Sequence, residues 1–155
     1  MSVSPKDVLD YFAAALAPIT AVAMIYIAYR QYRLEKLKWK HELYEKRLAI
    51  FRSTMELLAV IMRDGNVDIV TLSKFNAETS ESYFLLGRDI CDYLLEVYRK
   101  GVHLRTLNEK LQVSNLPIGE ERTRLADESG DLLKWFLDQF NVAREKFAEH
   151  LALDK

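Results

Sequence analysis

Cysteine occurs once in the 155 residues, glycine five times and proline three times. The lone thiol, Cys91, excludes an internal disulfide and fits a reducing compartment. It lies in an apolar helical run, where an inert core thiol is the ordinary reading. Five glycines leave little material for a phosphate cradle. There is no glycine-rich P-loop, no G-x-S-x-G and no H-E-x-x-H. Alternation at period two is never sustained long enough for a strand, and internal repeats and low-complexity tracts are missing too. Charge is absent from one stretch, residues 11–29.

That uncharged run of 19 residues would be roughly 28 Å long as a helix, against about 30 Å of hydrocarbon core. Ser4 can cap its start, Pro5 suits the first helical position and Asp7 stands at capping-box spacing. Pro18 can kink such a helix. Tyr26, Tyr29 and Tyr32 recur every third residue at its far end, as an interfacial anchor would, with Trp39 further out. Lys6, Asp7 and Asp10 precede the run. Arg30, Arg33, Lys36, Lys38 and Lys40 follow it, opposed only by Glu35. By the positive-inside rule the C-terminal side is cytoplasmic and the N-terminus outside. A cleaved signal peptide fits less well, because the start is not basic and no small-residue cleavage site follows. The expectation is a single-pass protein of the plasma (inner) membrane, with a transmembrane anchor over 1–30 and a cytosolic helical bundle over 31–155. Its expected membrane-interface residues are Tyr26, Tyr29, Arg30, Tyr32, Arg33, Lys36, Lys38 and Lys40. The basic members set topology and can also attract anionic lipid.

The net charge of −1 is unevenly spread. Residues 30–52 carry eight Lys/Arg and three Asp/Glu, a balance of +5; residues 53–155 carry thirteen and eighteen, a balance of −5. An acidic distal domain argues against nucleic acid, whose binders usually present a basic face across the domain.

From Ile19 to Asp64 no glycine or proline interrupts the chain, and good helix formers dominate from Arg30 onward. One helix is therefore expected from the uncharged run to about Arg63, stopped by Gly65 and Asn66. With no linker, tilt or rotation of its first half would be transmitted to the bundle. Leu34, Leu37, His41, Tyr44, Leu48, Phe51, Met55, Leu58 and Met62 follow steps of three and four, a coiled-coil heptad seam. The expected assembly seam is Leu37, His41, Tyr44, Leu48, Phe51, Met55, Leu58 and Met62. A second line, Leu43, Ile50, Leu57 and Ile61, lies roughly 120–160° around at 100° per residue. Two stripes imply neighbours on both sides, either within the bundle or in a second chain.

Asp68 is the expected cap of a second helix reaching about Leu86. Gly87 is expected to break the chain, and a third helix follows from Asp89 to about Gln112. Gly101 falls on its apolar seam, where close helix approach would explain it. Residues 113–119, with Asn115 and Pro117, read as a loop. Glu120 and Glu121 suit the positive end of a last helix carrying Leu125, Leu132, Phe136, Phe140, Ala143, Phe147 and Leu151.

Candidate chemistry is sparse. His41 at a seam position can set register or titrate near neutral pH. His41, His103 and His150 are far apart and lack metal-motif partners, so no metal is expected. Asp127, Glu128 and Asp131 read as an ordinary helical surface. Neither a cofactor nor an enzymatic activity is expected.

Two stretches carry a resemblance. One is Leu43, Tyr44, Glu45, Lys46, Arg47, Leu48, Ala49, Ile50 and Phe51. The other is Tyr83, Phe84, Leu85, Leu86 and Gly87, followed by Ile90, Tyr93 and Leu94. Together with the N-terminal run, the chain resembles a group of uncharacterised bacterial single-span membrane proteins with a cytosolic helical domain. The resemblance implies a helical, membrane-anchored protein; it brings no established activity and no site residue. The expected fold is all-α: a transmembrane helix continuous with a long stalk helix, then an antiparallel bundle of three to four helices. The expected function is a membrane-anchored interaction and assembly module that recruits or regulates a partner. The alternative is a membrane effector of a stress or phage-defence system acting through clustered spans, for which Ala13, Ala14, Ala15 and Pro18 permit close contacts. The expected partners are the lipid bilayer and either further copies of the chain or another protein.

Overall fold

A computed structural model describes residues 5–112 and 119–152, with side chains from residue 20 onward apart from residue 37. The Ser4 cap, most of the loop over 113–119, the side chains of Asp7, Pro18 and Leu37, and those of the first part of the uncharged run lie outside the described residues. Five helices follow in order: α1 (Pro5–Asp64), α2 (Ile69–Glu78), α3 (Ser82–Leu85), α4 (Arg88–Gln112) and α5 (Glu120–Leu151). Among the described residues there is no strand. The chain divides into two compact units, Met1–Glu42 and Leu43–Lys155.

The all-α expectation stands, but its membrane part is corrected. Among the described residues no helix is long and apolar enough to cross a membrane. The uncharged stretch of α1 ends at residue 29. Arg30 and Arg33 then follow, both exposed. The transmembrane helix expected over 11–29 is therefore overturned, and with it the single-pass inner-membrane placement. In the first unit the described side chains, from residue 20 to 42, are all exposed.

The second unit is a bundle with a shared core. Lys46 reaches Glu81 and Glu56 reaches Lys74, so α2 runs back along α1. Phe51 meets Phe147 with ring centroids 5.4 Å apart, so α5 also runs against α1. Contacts between α4 and α5 descend one helix as they climb the other, at 103 with 128 and at 100 with 135. An up-down-up-down arrangement results, with the single turn of α3 inserted before α4. The core takes Ile50, Leu57, Leu58 and Ile61 from α1, Leu72 and Phe75 from α2, Ile90, Leu94, Val97 and Leu104 from α4, and Leu132, Phe136, Ala143 and Phe147 from α5.

Local signals fix the helix ends. Gly65 takes a positive φ of 62° and its N–H donates to the Ile61 carbonyl, ending α1 one residue beyond the expected point. The Asp68 carboxylate accepts from the Thr71 N–H at 2.6 Å, capping α2 as expected. Gly87, at φ 90°, separates α3 from α4; a side chain there would be strained. The second helix is not continuous to Leu86, however. It stops at Glu78, where the Thr79 N–H and hydroxyl both donate to the Phe75 carbonyl. Hydroxyl groups that bond nearby carbonyls compete with the helical pattern, and Thr79, Ser80 and Ser82 cluster at this break. Gly101 is buried, and a Cβ there would lie 2.8 Å from Leu72 Cδ2, which is the close α2–α4 approach expected of it.

Candidate functional site

An open groove of about 820 Å³ lies between α4 and α5. From α4 it takes Glu96, Arg99, Lys100 and His103; from α5 it takes Arg124, Asp127, Glu128, Asp131, Leu132 and Trp135. Helical spacing explains the grouping. On α4, positions 96, 99, 100 and 103 share one side, while Val97, Gly101 and Leu104 face the core. On α5, Leu125, Ser129, Leu132 and Phe136 turn inward, so their neighbours at 124, 128, 131 and 135 flank the groove.

Two contacts close across it. His103 Nε2 lies 2.8 Å from Glu128 Oε1, with both side chains about half exposed. Lys100 Nζ stands 4.7 Å above the centroid of the Trp135 ring, a cation–π contact. Trp135 also stands edge-on to the fully buried Phe136 with ring centroids 5.0 Å apart. Asp131 is paired with Lys134 at 3.1 Å. At one end, Asn108 donates to the Gly65 carbonyl at 3.1 Å and accepts weakly from the Ser129 hydroxyl at 3.5 Å, tying the α1–α2 turn, α4 and α5 together. The groove thus offers an aromatic face, one aliphatic residue and side chains of both charges. Its described lining contains no hydroxyl or thiol nucleophile. Among the described residues no group of three or more His, Cys, Asp or Glu is placed to hold a metal ion.

The residues expected to matter from the sequence lie elsewhere. Tyr26, Tyr29, Arg30, Tyr32, Arg33, Lys36, Lys38 and Lys40 are all exposed on α1 in the first unit. Five of them, Tyr29, Tyr32, Arg33, Lys36 and Lys40, line a shared recess of about 380 Å³ along the helix. Of the seam, His41 is exposed; Tyr44, Leu48, Phe51, Met55 and Met62 are half-buried; Leu58 is fully buried. The centre of the buried face of α1 follows the second line instead, through Ile50, Leu57 and Ile61, with Ser53 and Thr54 between. Cys91 is half-buried and borders a smaller recess of about 220 Å³ with Phe75, Leu94, Leu95 and Tyr98.

The groove itself was hidden in the sequence. His103 and Glu128 are 25 residues apart and meet only because α4 and α5 run antiparallel. The available signal was the charged side of α4 combined with the acidic run on α5, two faces that an antiparallel pair must bring together. Comparison with protein-family models, with curated proteins and with solved structures finds no match for the chain.

Proposed function

We propose that the chain is a helical interaction and assembly module, whose bundle recruits or regulates a protein partner through the α4–α5 groove. The observation that carries this reading is the groove's composition: Trp135, bordered by the cations Arg99, Lys100 and Arg124 and by the carboxylates Glu96, Asp127 and Glu128. Tryptophan and arginine dominate the binding energy of protein interfaces, and a mixed charged rim selects register. The chemistry suits a partner helix with an apolar anchor that displaces Lys100 from the indole, and with both charges along its flanks. Half-buried Tyr44, Leu48 and Phe51 on α1 leave apolar area for contact with a second copy, the assembly part of the reading.

The test is site-specific photocrosslinking in cells. A photoreactive phenylalanine replaces Trp135, and a control carries it at exposed Lys110. A partner band seen at position 135, missing at position 110 and lost when Arg124→Glu is added, is the expected result. Identical bands at both positions, or none at either, would remove the groove from consideration.

A further inference from the structure

Every described side chain of α1 from residue 20 to 42 is exposed, and one face among them changes its chemistry along the helix. At 100° per residue, Ile25, Tyr26, Tyr29, Arg33, Lys36 and Lys40 fall within about 60° of the centre of that face. Every one of them is exposed. Their chemistry changes in sequence: aliphatic first, then tyrosine, then basic. Ile25 is 70% exposed and Tyr29 59%, and contiguous exposed apolar area marks an interaction surface. The basic end shares its recess with Tyr29 and Tyr32, so aromatic rings and cations line one depression of about 380 Å³.

We infer that this stripe is a docking surface for an anionic lipid surface, on which α1 lies with its aliphatic end dipped toward the acyl boundary and Arg33, Lys36 and Lys40 among the phosphates. No crossing of the bilayer is involved. Charge complementarity selects the occupant: the stripe carries Arg33, Lys36 and Lys40 with no carboxylate among them, which calls for an anionic plane. The order along the axis selects it further. Tyrosine rings sit at the level where hydrocarbon gives way to headgroups, with apolar side chains on one side of them and basic ones on the other. An acidic protein groove would match the charges but gives no reason for that order.

The experiment is vesicle flotation of the full chain with phosphatidylcholine alone and with phosphatidylcholine containing phosphatidylglycerol, at low and high salt. Binding to the anionic vesicles is expected, and added salt should release it. Replacing Arg33, Lys36 and Lys40 by glutamine should weaken binding about a hundredfold, at about fivefold per charge near a surface. The register is tested by a pair of single changes. Lys36→Gln should cost about fivefold, whereas Lys38→Gln, about 180° around from Tyr29, should cost less than about twofold. Equal losses from that pair, equal binding to neutral vesicles, or no binding would overturn the inference. So would retention on polyglutamate beads without flotation, which would assign the stripe to an acidic protein. Circular dichroism of each variant confirms that helix content is kept, and the single changes decide the matter if the triple variant misfolds.

Discussion

Gly101 and Gly130 both sit inside helices, yet the structure gives them opposite tolerance. A methyl at 101 would press on Leu72 Cδ2 at 2.8 Å, and Leu72 is 0% exposed within the core. The overpacking costs about 1–3 kcal/mol and the gain in helix propensity returns about 1. Gly101→Ala should therefore destabilise by about 1 kcal/mol. Nothing lies within 4 Å of the same position at Gly130, so Gly130→Ala should stabilise by about 0.5–1 kcal/mol. Urea midpoints of the two variants check both signs. Tyr93 makes a different kind of prediction. Its hydroxyl is buried without a hydrogen-bond partner, and Lys146 Nζ stands 5.6 Å over the ring. Burial, with a smaller push from Glu96, raises the phenol well above its ordinary value of 10.0. A raised value means that the folded chain holds a proton the unfolded chain releases. The stability this gives is complete below the ordinary value of 10.0 and is lost as the pH climbs above it. Tyr93→Phe should shrink the alkaline loss of stability, measured as melting temperature between neutral pH and pH 11, while leaving the neutral value no lower.

Arg47 acts on whole elements. Its Nε donates to the Leu85 carbonyl at 2.9 Å and an Nη to the His150 carbonyl at 3.2 Å, so one side chain on α1 closes the C-terminal ends of both α3 and α5. Those are carbonyls that a helix end leaves without an internal partner. Arg47→Ala should cost about 1.5–3 kcal/mol, and Arg47→Lys should recover only part of it because one ammonium cannot span the two directions. Denaturant titration with hydrogen exchange at the end of α5 checks this. Nothing in the sequence marks this role for Arg47, since its two acceptors are 38 and 103 residues away. Where the determinants are local, element boundaries were readable: the Asp68 cap, the turn at Gly65 and the break at Gly87 each follow from one or two residues. Where a break rests on competing hydroxyls, as at Thr79, no glycine or proline announces it. The two apolar stripes of α1 were visible as well. Which of them faces the core was not, because helical periodicity fixes angles about an axis and not the direction of the neighbours. The α4–α5 groove was illegible for the same reason: its pairing of His103 with Glu128 exists only after the helices are placed.

At the scale of the whole molecule the buried core belongs to one unit. Among the described residues, every one of the core lies between Ile50 and Phe147, inside Leu43–Lys155. A fragment of residues 43–155 should therefore unfold cooperatively, with a melting temperature within a few degrees of the full chain. A broad, non-cooperative transition would show that residues 1–42 are needed for the fold. The uneven charge has the same division: the basic stretch begins in the first unit and the acidic balance lies in the second. The helix that belongs to both units has one more consequence. An amide between Ile50 and Ile61 on α1 is backed by buried side chains and exchanges its proton with solvent only when the bundle opens. An amide between residues 20 and 42 has only exposed neighbours and exchanges through local fraying. Deuterium uptake along this one helix should thus keep two clocks, slow toward Asp64 and fast toward its start. Any surface that comes to rest on the fast half will announce itself by slowing that clock alone.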